Sequence, residues 1–255
     1  MTETIESSKS EGVLRLRFNR PGKRNALSQE MYRELARQFQ VVGDDAEVKV
    51  VVLSGQPGCF TSGNDMKDFL SVPPDATESP TLDFMNALAN CPKPVIAAPS
   101  GIAVGVGVTL LLHCDLVYCG AQTRLNMPFA QIGIRPEYAS SYLLPRLMGH
   151  ARAAELLLLG EFSASKALEY GLVNAVVPNE QVEAVAMEKA RVVAELPPAT
   201  VRAIKAMLKH WRAGVVKEAI PWEMGEVARS LSMPEALESI GAFLQKRKPD
   251  FSGFS

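Results

Sequence analysis

Three short segments carry the residues best placed to do chemistry. The first, Gly58-Cys59-Phe60-Thr61-Ser62-Gly63-Asn64-Asp65-Met66, follows a buried-strand pattern and its Ser54-Gly55 exit. Its small residues let the backbone approach a ligand with N–H groups free to donate, although a plain surface loop has the same composition. The second is Gly101-Ile102-Ala103-Val104-Gly105-Val106-Gly107-Val108. Its glycines do not keep a G-x-G-x-x-G register and no Lys-Ser/Thr follows the last one, which excludes the dinucleotide and P-loop readings. What remains is a glycine turn feeding a helix N-terminus, where unpaired N–H groups and the helix dipole favour negative charge. Close helix packing uses glycines in the same way. The third is Arg135-Pro136-Glu137-Tyr138-Ala139-Ser140-Ser141. A glutamate just after a proline, in the first turn of a predicted helix, complements the dipole or carries a proton.

The remaining polar residues offer less. His113 and Asp115 lie where an apolar helix gives way to a strand, a place for capping or a satisfied core group. No G-x-S-x-G elbow is present, so a serine-hydrolase triad has no support. Asp44 and Asp45 read as a solvated turn. The cysteines Cys59, Cys91, Cys114 and Cys119 form no C-x-x-C pair, and the histidines are His113, His150 and His210 alone. Free thiols in a reducing compartment are expected, with no metal site and no disulfide framework.

Leu14, Leu16 and Phe18 alternate with Arg15 and Arg17, which predicts a half-buried strand over Val13–Phe18 ended by Asn19-Arg20-Pro21-Gly22. Ser28 caps a helix with Met31, Leu35, Phe39 and Val42 on its apolar face. Val48–Leu53 and Pro94–Ala98 read as strands covered on both faces. Val72–Pro80 reads as a mobile loop before a helix over Leu82–Leu88, and Gly101–Leu112 as the glycine turn opening into an apolar helix. Short strands follow at Asp115–Tyr118 and Thr123–Asn126, then helices over Tyr138–Met148 and Arg152–Leu159. Ser163 caps a helix over Ala164–Tyr170, stopped by Gly171. After a strand at Val173–Val177, the chain from Asn179 to Lys246 is helical by pattern, broken at Pro197-Pro198, Gly214 and Pro234. Strands alternating with helices, then helices alone, argue an α/β fold with a helical C-terminal region.

The 255 residues suffice for one large domain, and 47% hydrophobic with 22% charged residues is ordinary globular usage. A net charge of -1 provides no basic field for nucleic acid or an anionic membrane. Met1–Glu11 is polar and lacks an apolar signal core. The longest apolar runs, near Val104–Leu112 and Ala153–Leu159, fall short of the roughly 20 residues of a membrane span. The ending Phe251-Ser252-Gly253-Phe254-Ser255 is not Ser-Lys-Leu. A cytoplasmic enzyme with no nucleic-acid or membrane partner is expected.

Taken together, in this order and spacing, these segments resemble the crotonase superfamily, also called the enoyl-CoA hydratase/isomerase family. The resemblance covers nearly the whole chain. It begins with Asn19-Arg20-Pro21 and Arg24-Asn25-Ala26-Leu27, and passes through Ser62-Gly63-Asn64-Asp65 and the Gly101–Gly107 turn. It ends with Ser163-Ala164, Ala167, Gly171-Leu172-Val173-Asn174 through Val177-Pro178, and Phe243 to Lys248. The implied fold is an α/β crotonase-type spiral of ββα units, residues 1–194, with a helical trimerisation region, residues 195–255. The implied assembly is a homotrimer or a dimer of trimers. The implied substrate is an acyl-CoA thioester, with CoA part of the substrate and no further cofactor.

By the family pattern, Asn64 and Val106 supply an oxyanion hole through their N–H groups. A valine where the family commonly has glycine leaves the donor intact, but demands an unstrained backbone there. Arg24 and Ala26 lie where the family lines the CoA groove, and Ser62, Asp65 and Met66 flank its adenine end. Phe243 and Lys246 match C-terminal positions that reach the adenine and phosphate of CoA, often across a subunit interface; a solvated helix end equally explains Lys246.

The resemblance also bears on the reaction. Hydratases of the family add water with two glutamates, and Thr109 and Phe129 stand at those positions here. Water addition needs one group to activate the nucleophile and another to deliver the proton. Glu137 instead matches the single catalytic glutamate of the Δ3,Δ2-enoyl-CoA isomerases, and Met127-Pro128-Phe129 with Pro136-Glu137-Tyr138-Ala139-Ser140-Ser141-Tyr142 resembles their peroxisomal branch. The expectation is an isomerase of fatty-acid β-oxidation, converting a 3-enoyl-CoA to a 2-enoyl-CoA. The rival readings are a hydratase, another crotonase reaction such as dehalogenation or thioester hydrolysis, and a non-catalytic acyl-CoA-binding homologue. Two effects compete for the pKa of Glu137: a helix N-terminus lowers it, whereas desolvation by neighbours such as Phe129 raises it.

Overall fold

The computed structural model describes residues 4–69 and 79–254, without the side chains of Phe69, Phe243 and Leu244. Strands β1 (Ile5–Ser10) and β2 (Val13–Phe18) form an antiparallel hairpin, turned at Glu11 and Gly12 with positive φ. β1 has no sequence signal because Ile5 is its single buried residue and the rest faces outward. The arginine face of β2 is not left to solvent: Arg15 pairs with Glu183 at 2.9 Å. Helix α1 (Gln29–Val42) starts where Ser28 Oγ accepts from the Met31 N–H at 3.3 Å, and it buries Met31, Tyr32, Leu35 and Phe39.

β3 (Val50–Ser54) is buried along its whole length, as its β-branched run predicts. After the one-turn helix α2 (Met66–Phe69), the expected Val72–Pro80 loop lies, as far as residue 78, outside the described residues. α3 (Pro80–Ala89) is capped by Ser79, and β4 (Val95–Ala98) follows. The stretch Gly101–Leu112, read from sequence as a glycine turn opening into an apolar helix, is three elements. They are β5 (Ile102–Val104), α4 (Val106–Thr109) and a 3-10 turn at Leu110–His113. Ile102–Val104, within the expected turn, joins a strand ladder with Arg124–Asn126, and the helix begins at Val106 and gives way to the 3-10 turn after Thr109.

The chain continues through β6 (Leu116–Gly120), β7 (Arg124–Asn126), α5 (Ser140–Met148), α6 (His150–Leu159), β8 (Glu161–Ser163), α7 (Ala164–Glu169) and β9 (Ala175–Val177). It ends with α8 (Val182–Glu195), α9 (Pro198–Leu231) and α10 (Pro234–Leu244). α9 runs through Gly214 without the expected break, and also through Pro221. Its buried residues Val216, Ile220 and Val227 lie on both sides of Pro221, so packing outweighs the local helix penalty. α5 begins at Ser140, not Tyr138, because Tyr138 and Ala139 are left-handed.

The main sheet has the order β1-β2-β3-β4-β6-β9, parallel throughout except for β1 with β2. α8 covers one face, burying Val182, Ala186, Ala190 and Ala194 against Val50, Val52 and Ile96. The larger core fills the other face and contains the small sheet β5-β7-β8. The exits of β3 and β4 lead towards the Gly58–Met66 segment and the Gly101–Val108 turn, which the small sheet holds in place. Among the described residues, no helix is long and apolar enough to cross a membrane.

Candidate active site

The two glycine-containing loops are fastened to each other by backbone. Phe60 and Thr61 N–H groups donate to Ile102 O at 3.0 and 3.1 Å, and Val104 N–H donates to Thr61 O at 3.1 Å. A Cβ on Gly107 would meet Thr61 Cγ2 at 2.4 Å, so the first turn of α4 lies directly on the other loop. Asn25, fully buried, ties in the preceding segment. Its side-chain amide donates to Cys59 O at 2.8 Å, and its carbonyl oxygen accepts from the Arg20 N–H at 2.7 Å.

A glycine with positive φ stands immediately before each expected donor. Gly63 (φ 90) precedes Asn64, and a side chain there would meet Val104 O at 2.9 Å. Gly105 (φ 54, ψ -117) precedes Val106 in a conformation closed to other residues. Val106 itself is the first residue of α4, with helical geometry and no strain. Among the described residues, neither the Asn64 nor the Val106 N–H donates to a protein acceptor. Both residues line one cavity of about 510 Å³. The Asn64 side chain is engaged elsewhere, accepting from the Tyr32 hydroxyl at 2.5 Å.

Glu137 lines the same cavity and is 2% exposed. It does not lie in a helical turn, as the sequence suggested. It precedes the left-handed pair Tyr138 and Ala139, and the carboxylate at the N-terminus of α5 is that of Glu223. The lowering effect expected from the helix is therefore spent on another residue. Burial pushes the Glu137 carboxyl up to about 7; the Thr109 hydroxyl, 3.3 Å from Oε1, opposes this, and the charge of Glu223 adds to the rise. Thr109 and Phe129, the positions of the missing hydratase acids, thus form the immediate surroundings: one donates to Glu137 and the other lines the cavity.

The cavity lining also includes Arg24, Ala26, Ser62, Asp65 and Met66, together with Lys23 and Lys67. Lys23, Arg24 and Lys67 are exposed and make no ion pair among the described residues. Asp65 is a tether. Burial raises its pKa, but the Arg20 guanidinium at 2.7 Å and the Lys67 N–H outweigh that and leave it lowered. Lys246 does not join this group: it lies beyond α10, exposed and left-handed (φ 55). The side chain of Phe243 lies outside the described residues. Sequence reasoning missed Glu223, Tyr32, Asn25, Lys23 and Lys67. Positive charge next to Arg24 was a usable signal for Lys23, whereas nothing local marks Glu223.

The enoyl-CoA hydratase/isomerase family model matches residues 8–253. The chain belongs to this family. Human enoyl-CoA delta isomerase 2 is 34% identical over 215 residues, covering 81% of this chain and 54% of that protein. The chain thus spans about half the length of that relative. The 2,3-dehydroadipyl-CoA hydratase of Escherichia coli is 32% identical, covering 99% of this chain and 100% of its own. Among solved structures, an enoyl-CoA hydratase/isomerase from Pseudoalteromonas atlantica superposes with a TM-score of 0.93 at 35% identity, covering 98% and 100% of the two chains. The α/β crotonase-type fold with a helical C-terminal region is therefore the fold of this enoyl-CoA hydratase/isomerase family member.

Proposed function

We propose that the protein is a Δ3,Δ2-enoyl-CoA isomerase, on the strength of one observation above all. Among the described residues, Glu137 is a buried carboxyl with no ion pair that lines one cavity with two unengaged backbone donors, and the other acid lining that cavity, Asp65, is held by Arg20. One carboxylate suffices for a 1,3-proton shift, whereas water addition asks for two placed groups.

In this reading the thioester oxygen of a 3-enoyl-CoA lies between the Asn64 and Val106 N–H groups. The Glu137 carboxylate takes a proton from C2, and the electron pair moves into a dienolate whose oxygen those donors stabilise, each by about 2.7–4 kcal/mol. The resulting carboxylic acid returns the proton to C4, the double bond settles between C2 and C3, and the carboxylate is regenerated. A pKa of about 7 suits both halves of this cycle, because neither protonation state is far from reach at neutral pH. The unpaired cations Lys23, Arg24 and Lys67 at the rim suit the CoA phosphates. Ile204, Met207, Leu208 and Trp211 form an exposed apolar face on α9. A homotrimer or dimer of trimers, built through residues 195–255, would cover it. In such an assembly Lys246 and Phe243 would serve a neighbouring copy's CoA.

The test is an assay of the purified protein on 3-hexenoyl-CoA and on crotonyl-CoA, with Glu137→Gln alongside. Conjugation of 3-hexenoyl-CoA by wild type only is expected. Hydration of crotonyl-CoA at a comparable rate, or isomerisation by the mutant at the wild-type rate, contradicts the reading.

A further inference from the structure

The carboxylate of Glu223 takes no part in the chemistry above, yet it is 1% exposed and lies against the segment that carries Glu137. It comes from α9. Its oxygens accept from the Ser140 N–H at 3.2 Å, the Ser141 N–H at 3.1 Å and the Ser141 hydroxyl at 2.5 Å, at the start of α5. Between those serines and Glu137 stand Tyr138 (φ 64) and Ala139 (φ 57). Left-handed residues other than glycine are strained and persist only where their surroundings hold them. Two contacts hold the Tyr138 side: the His113 Nε2–H donates to Tyr138 O at 2.8 Å, and the Tyr138 hydroxyl donates to Met85 O at 3.0 Å. Glu223 holds the α5 side.

We propose that Glu223 is a positioning residue: from α9 it clamps the start of α5, and with it the turn that carries Glu137, and so brings a second carboxylate to bear on the base. Two buried carboxylates near each other do not ionise independently. The other groups bearing on Glu137 are the Thr109 hydroxyl from α4 and the phenols of Tyr32 and Tyr138, both held well above their ordinary range by burial. Those bearing on Glu223 are the Ser141 hydroxyl and the N–H groups of Ala139, Ser140 and Ser141. Among the described residues, Glu223 is the carboxyl whose negative charge raises Glu137, and burial pushes Glu223 itself up, against the hydrogen bonds from Ser141, Ser140 and Ala139.

The inference rests on the isomerase reading only in its kinetic part, because the protonation of Glu137 can be followed without substrate. Infrared titration of the carboxyl groups, with Glu137 assigned by difference from Glu137→Gln, is performed on wild type and on Glu223→Gln. The Glu137 transition is expected to move to lower pH in Glu223→Gln. The ascending limb of kcat/KM for 3-hexenoyl-CoA moves with it. If the protein converts no 3-enoyl-CoA, the infrared shift still decides the matter. An unmoved transition overturns the proposal, as does activity lost equally at every pH with the limb in place. Should Glu223→Gln fail to fold, the coupling is read from the other side, because it is reciprocal. Glu137→Gln then lowers the transition of Glu223, and a Glu223 transition that stays in place overturns the proposal.

Discussion

The two halves of the candidate site are built on different principles. The donor half, Asn64 and Val106, uses only backbone, and each N–H is aimed by the glycine before it, Gly63 at φ 90 and Gly105 at φ 54. The acid half, Glu137, uses a side chain whose chemistry is set first by burial and then by groups from elsewhere in the chain: Thr109 from α4 and Glu223 from α9. Backbone geometry tolerates almost any side chain at the functional residue but none at its neighbour. A tuned carboxyl tolerates no change of its own and depends on distant partners.

The largest effect should fall on the acid half. Glu137→Gln keeps the size of the side chain and removes its proton chemistry, so kcat on 3-hexenoyl-CoA should drop by about 10²–10⁴-fold. Next comes the donor half. Gly105→Ala meets no atom within 4 Å, so its harm is conformational. It should misplace the Val106 N–H and cost about 10²–10³-fold in kcat. Val106→Ala, one residue on, keeps the N–H and should leave kcat within a few-fold. If Val106→Ala proved the worse of the two, the backbone account of this half would be wrong.

A stability experiment sharpens the contrast without any substrate. Folded Glu137 titrates near 7, against an ordinary 4.5. The folded protein thus keeps a proton that the unfolded chain has already released, and its stability falls as pH rises from about 4.5 to about 7. The loss is about 3 kcal/mol. Denaturant unfolding of Glu137→Gln should therefore match wild type near pH 4.5 and show up to about 3 kcal/mol more stability at pH 8 or so. Equal stabilities at the higher pH would mean that burial does not hold the carboxyl as described. The smallest effect is expected at Tyr32→Phe. It removes one hydrogen bond to the Asn64 side chain but leaves the Asn64 N–H in place, and should cost no more than about fivefold in kcat.

The same division explains what could be read from the sequence. Gly63-Asn64 and Gly105-Val106 were legible because a backbone site needs glycine at fixed places, and α1 was legible because Ser28 and a 3.6-residue apolar period specify it. β1 was not, since a single buried residue leaves no alternation to see. Glu137 was legible by type and position, but its helical setting was misplaced, because two consecutive left-handed residues at Tyr138 and Ala139 leave no mark in composition. Glu223 lay hidden in a long helix, 82 positions from the Ser141 hydroxyl it accepts from. Such a partner emerges only when tertiary packing brings α9 back over the core. α9 itself was expected to break at Gly214, a local signal overridden by the packing of Val216 and Ile220.

The central claim is that a single buried carboxyl, poised near neutrality, does the proton transfer. The pH dependence of kcat/KM for 3-hexenoyl-CoA tests it most directly. Because the base must be ionised, activity should be low in acid and rise through one transition near pH 7, following the ionisation of Glu137. A profile that is flat across neutrality, or that rises near 4.5 as an ordinary glutamate would, contradicts the account.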